Sequence, residues 1–260
     1  MKTGHGILKK QEKAINHYLD KSPDTFTSND FHQLRLEIKK LNAFLDLVDF
    51  CSKDFNRNKI FKPFNEIFRK AGKIRELQLE KITIKKHQID GLLKDYFMGL
   101  KWQESREKTK FFILIKLLFP DQLHKKINKI IPYLSEINDE KIKKYLEKKN
   151  RSIQKLMSKS ILNRKEMHHL RKQLKTFNYN RKIVSSENDV TKTPLKSGLT
   201  SLLGKWHDCE VLLQHLKKEI AKEKLNYRET QELHNLKTAV VSKRKLLFDK
   251  INTILLTQDF

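Results

Sequence analysis

The sequence predicts an all-α protein built from two pseudo-symmetric four-helix bundles, and three observations carry that expectation. The 260 residues include only seven glycines and five prolines, so long stretches run without a breaker. Apolar residues recur along those stretches with helical period, and strand signals are essentially absent. Finally, a basic helical block occurs twice. Phe31-His32-Gln33-Leu34-Arg35-Leu36-Glu37-Ile38-Lys39-Lys40-Leu41-Asn42 returns 136 residues later as Met167-His168-His169-Leu170-Arg171-Lys172-Gln173-Leu174-Lys175-Thr176-Phe177-Asn178. A shorter block, Gly72-Lys73-Ile74-Arg75-Glu76, returns 132 residues later as Gly204-Lys205-Trp206-His207-Asp208. Two blocks in the same order in each half are what an internal duplication predicts.

The elements follow in order. A first helix is expected near 6–20; the stretch Met1 to Asn16 has no apolar core of the signal-peptide kind. Thr27 or Ser28 can cap the next helix, near 28–51. On it Leu34, Ile38, Leu41, Leu45 and Val48 form an apolar stripe fit for a bundle core. His32, Arg35, Lys39 and Asn42 form a second stripe beside it, which places charge at a groove between helices rather than on the far solvent face. A third helix near 57–85 contains Gly72, and a fourth is expected near 88–118. The strongly apolar stretch Phe111 to Phe119 is interrupted by Lys116 and closed by Pro120, so it is too short to span a bilayer. A linking helix near 121–135 opens the second half, followed by helices near 139–160 and 163–185. In the latter, Leu170, Leu174, Phe177 and Val184 keep the apolar stripe while Arg181 replaces one member. Ser185 to Asp189, with Pro194, reads as a loop before helices near 193–223 and 228–257. Residues 1–120 and 121–260 are thus the two expected halves of a single domain.

Charge narrows the function classes. Lys and Arg number 56 against 31 Asp and Glu, a formal charge of +25. Such a surplus repels itself unless a polyanion relieves it: nucleic acid, an anionic membrane surface or inorganic polyphosphate. Genomic codon bias accounts for part of a Lys excess, but not for where the scarcer cation stands. Only 11 of the 56 are Arg, and motif positions 35, 75 and 171 each hold one. Cys51 and Cys209 are too few for a disulfide framework, which fits a reducing compartment and a cytoplasmic location.

The repeated His-x-x-Arg-x-x-x-Lys, with a Gly-x-x-Arg-Asp-like segment after each copy, resembles the CHAD domain (conserved histidine α-helical domain). The resemblance covers nearly the whole chain. It implies two four-helix bundles around a strongly basic central groove or cavity that binds inorganic polyphosphate without catalysis or cofactor. It also implies partners and a location among polyphosphate granules and polyphosphate-metabolising enzymes. Carried over by position, the contacts are His32, Arg35, Lys39 and Lys40, then Arg69, Lys73 and Arg75, in the first half. In the second half they are His168, Arg171, Lys172 and Lys175, then Lys205 and His207. Glu76 and Asp208 take the supporting acid positions, each orienting a neighbouring cation. The chain departs from the family where Asn42 and Asn178 stand for cations, where Thr176 stands for a second one, and where Glu76 and His207 replace Asp and Arg. The Glu-x-Glu-x-Lys motif of the CYTH triphosphatases often fused to this family is absent.

The chemistry suits these residue types. Polyphosphate offers charge but no bases to read, so a binder needs a track of donors. Arg brings a planar fork, Lys a mobile point charge, and protonated His a donor on each nitrogen. The plainer reading of any single lysine is a solvated helix face. His32, His168 and His207 also admit two other roles, as core hydrogen-bonding groups or as metal ligands. Yet no His-x-x-x-His pair supplies several ligands on one face, and the adjacent His168 and His169 diverge. His207-Asp208 spells the dipeptide of metal-dependent phosphohydrolases without their further ligands. Gly72 and Gly204, inside helical patterns, suggest close helix–helix approach. Nucleic-acid binding is the alternative function; it rests on charge, since no helix-turn-helix, zinc finger or RNA-recognition aromatic pair is present.

Overall fold

The computed structural model describes residues 4–118, 121–184 and 194–257, and among these it is helical with no strand. The helices are α1 (Gly4–Leu19), α2 (Ser28–Cys51), α3 (Arg57–Lys86), α4 (Lys94–Leu118) and α5 (Asp121–Asn128). They continue with α6 (Asp139–Met157), α7 (Arg164–Val184), α8 (Pro194–Ile220) and α9 (Tyr227–Leu256). No helix among the described residues is long and apolar enough to cross a membrane. The expected loop Ser185 to Asp189 and the stop at Pro120 lie outside the described residues.

Helix ends follow local chemistry. Thr27 caps α2 through a reciprocal box: its Oγ1 accepts from the Asp30 amide at 3.3 Å and its own amide donates to Asp30 Oδ2 at 2.7 Å. Lys21 also donates to Asp30 at 2.8 Å, and together these bonds outweigh burial to hold the Asp30 carboxyl below its ordinary pKa. The helix expected from residue 88 begins instead at Lys94. Gln88 adopts φ 56° there, and the amides of Gln88 and Ile89 return to the carbonyls of Lys85 and Ile84 at 3.0 and 3.3 Å. That pattern closes a helix C-terminus around a left-handed residue. Glu223, φ 53°, stands beyond the end of α8 in the same region, so α8 stops at Ile220 and not near 223. The single linking helix is two pieces, α5 and a 3-10 turn at Ile131–Glu136, because Pro132 lacks the amide that a continuous α-helix needs there.

Two compact units make up the chain. The first comprises residues 1–75, 107–152 and 175–192; the second comprises 76–106, 153–174 and 193–260. These units interleave in sequence, so α3, α4, α6 and α7 each contribute one segment to either unit. In the first unit the core stripe of α2 (Leu34, Ile38, Leu41, Leu45, Val48) is fully buried. It shares one apolar cluster with Ile15 of α1, Phe64 and Ile67 of α3, Phe111 of α4 and Leu123 of α5. Burial of a Leu or Ile side chain contributes about 1.5–3 kcal/mol, so this stripe anchors the helix whose other edge carries the cations. In the second unit the buried apolar residues include Leu100, Leu162, Leu170, Leu203, Trp206, Leu216, Leu233 and Ile251, with α8 packed along α9.

Candidate functional site

In the first unit the stripe beside the α2 core becomes a cluster of cations. The charges of Arg75, Lys39, Arg35 and Lys175 all act on His32; together with partial loss of solvent, the larger effect, they hold its imidazole below the ordinary histidine pKa. The four cations come from α2, α3 and α7, so residues of both motif copies meet in one place. Arg35 and Lys39 are half-buried while His32 is exposed. Arg35 packs against Phe68 of α3. Its Nη1 donates to the Phe68 carbonyl at 2.6 Å, and its Cζ lies 4.0 Å from the Phe68 ring centroid. Lys39 Nζ stands 5.6 Å from the same ring. Asn42, a cation in the family pattern, instead accepts from Arg57 Nη2 at 2.9 Å. Arg57 also pairs with Asp46 at 3.4 Å, and that carboxylate further takes Tyr145 and Lys149 at 2.7 Å each.

The second unit holds a smaller counterpart. His168 is half-buried, its ring 4.9 Å from that of Trp206 and 5.0 Å from that of His207. Partial loss of solvent and then Arg171 lower its pKa; Glu210 opposes them, and Arg164 and Lys172 act in the same lowering sense. Glu210 is 3% exposed and pairs with Arg164 and, at 2.8 Å, with Arg244. The second cluster carries a buried acid, Glu210, among the groups acting on its histidine.

Lys40 donates to Glu37 at 2.6 Å, one turn back on α2. Lys73, exposed on α3, acts with Lys110 and Lys70 on Glu107, whose pKa is lowered first by the Lys110 hydrogen bond. Arg69, Lys172 and Lys205 are exposed, as are Glu76 and Asp208. Sequence reasoning singled out the last two as orienting acids; Glu210, buried beside two arginines, is the acid it missed. The available signal was spacing, since position 210 follows His207 by three and shares its helix face. Phe68 was likewise missed, although it stands one turn before Gly72. The glycines differ as well. A Cβ at Gly72 would collide with Arg35 Nη1 and lie 3.2 Å from its Cζ, whereas a Cβ at Gly204 would meet nothing within 4 Å. The expected close helix–helix approach therefore does not hold at Gly204, and at Gly72 the neighbour is a side chain. Among the described residues no group of three or more His, Cys, Asp or Glu side chains could hold a metal ion.

No family model matches the sequence, and no curated protein is significantly similar to it. Solved structures do match. The crystal structure of the CHAD domain from the plant Ricinus communis aligns with 98% of this chain and 90% of its own, at TM-score 0.77 and 11% sequence identity. PptA from Streptomyces chartreusis aligns with 96% of this chain and 99% of its own, at TM-score 0.69 and 12% identity. Similarity at that level of identity is similarity of fold.

Proposed function

We propose that this chain, which has the fold of a CHAD domain, is a non-enzymatic binder of inorganic polyphosphate. The observation that carries the reading is the convergence of Arg35, Lys39, Arg75 and Lys175 on His32. A cluster drawn from three helices is a local concentration of donors, unlike lysines scattered on a solvated face. Its axial length suits a thin anion: His32 to Lys39 spans about 10 Å of helix, room for several phosphates in file. The second cluster, around His168 and Arg171, presents a weaker field because Glu210 offsets part of it. We read the two clusters as relics of a duplication that gave residues 1–120 and 121–260, and we place the protein in the cytoplasm with polyphosphate granules.

Calorimetric titration with polyphosphates of graded length, against duplex DNA and RNA at matched phosphate and salt, tests this. Long polyphosphate is expected to bind best; equal or tighter binding to duplex DNA would transfer the function to nucleic acid. Purified protein is expected to release no phosphate from polyphosphate or triphosphate, with or without divalent metal. Steady release abolished by changing His207 would overturn the non-enzymatic reading.

A further inference from the structure

Arg35 rests on α3 against a ring that the matching position of the second motif copy, Thr200, does not have. In an α-helix the carbonyl of residue 68 is bonded by the amide of residue 72. A carbonyl oxygen has a second lone pair, and here Arg35 Nη1 reaches it at 2.6 Å. A side chain at position 72 stands directly in that approach, and the Cβ of any residue but glycine would collide with Nη1. Phe68 supplies the carbonyl and also the ring under the guanidinium, 4.0 Å from Cζ. One residue thus gives an acceptor and an aromatic floor, and the next turn of the helix gives the space. The carbonyl bond fixes the direction of one N–H, and the ring beneath restrains the guanidinium plane. In the second copy the 132-residue shift puts Thr200, which has no ring, where Phe68 stands, and Gly204 faces open space.

We propose that Phe68 and Gly72 are positioning residues that hold the Arg35 guanidinium in its polyanion-binding orientation, which makes the two Gly-Lys copies unequal in function. The proposal rests on the polyphosphate reading for its ligand but on α3 geometry for its mechanism. An arginine already fixed loses less side-chain freedom when phosphate arrives, which strengthens binding without adding a contact. Gly72 is therefore kept by a need different from the helix packing that a mid-helix glycine usually suggests.

The test compares the unaltered protein with Gly72→Ala, Phe68→Leu and Gly204→Ala, each titrated with long-chain polyphosphate. Gly72→Ala and Phe68→Leu are expected to weaken binding about two- to tenfold, the range for freeing one long side chain, and Gly204→Ala to leave it unchanged. In an Arg35→Ala background, Gly72→Ala is expected to have no further effect, because the two changes act through one side chain. NMR of the Arg35 side chain reads the cradle without any ligand: its ring-shifted resonances should move toward free-arginine values in Gly72→Ala and Phe68→Leu. Unchanged resonances in both variants would overturn the cradle whether or not polyphosphate binds. Binding by Gly72→Ala equal to the unaltered protein, or a weakening that persists in the Arg35→Ala background, would overturn the positioning role. Failure of the unaltered protein to bind polyphosphate, with the resonances moving as expected, would remove the proposed function and the ligand half of this proposal while leaving the cradle.

Discussion

Partial loss of solvent, and then neighbouring cations, hold the imidazoles of His32 and His168 below the ordinary histidine pKa. Their pKa values lie below the unfolded value of 6.5, so the stability they contribute is present above that pH and is lost as pH falls through the lowered folded values. A bound polyanion reverses the field and raises both pKa values. Polyphosphate binding is therefore expected to take up protons and to tighten as the pH falls from 8 to 6. Calorimetry in buffers of different ionisation enthalpy measures the uptake, and His32→Asn should reduce it; absence of uptake would remove the histidines from the site. Arg35→Ala and Arg171→Ala should each weaken binding about tenfold, in line with roughly 1.5–3 kcal/mol for a hydrogen bond to a charged group. Replacing the exposed Lys143 on α6 should do little. If all three variants titrate alike, binding is diffuse electrostatics. At this scale the sequence revealed which residue types recur, because repetition marks them. It hid the Phe68 floor and the Glu210 acid, since each works through a contact made only when separate helices pack.

Helices were legible because their signals are local. The Thr27 box and the apolar stripe of α2 lie within one element and need no partner to be read. The end of α3 was not legible, since Gln88 takes a left-handed conformation where a glycine would have announced it. Pro132 stood inside the linking helix expected over 121–135, and that helix divides there instead. Two substitutions test the element-level account. Gly204→Ala adds a methyl group that meets nothing within 4 Å, so the gain in helix propensity, about 1 kcal/mol, should appear as a higher melting temperature. Thr27→Ala removes the cap of α2 and should cost about 1 kcal/mol. Thermal unfolding followed by circular dichroism checks both, and a destabilised Gly204→Ala would mean that the open space at α8 is filled in solution.

For the whole molecule, a formal charge of +25 makes any polyanion complex depend strongly on ionic strength. The slope of log affinity against log salt should fall in magnitude when cluster cations are replaced, by about one for each cation that touches phosphate. Repetition in the sequence is what suggests two halves; the compact units leave no such trace, since they depend on which segments pack. Those units also constrain how the chain is made. The first draws on α7, so a nascent chain cannot complete it until the ribosome has passed Val184. The second waits for α9, which ends at Leu256. Synthesis therefore leaves a long interval in which α2, with its apolar stripe, lacks the later segments of its unit. A fragment of residues 1–120 should stay protease-sensitive and bind chaperones, and it should gain protection only when residues 121–260 are supplied in trans.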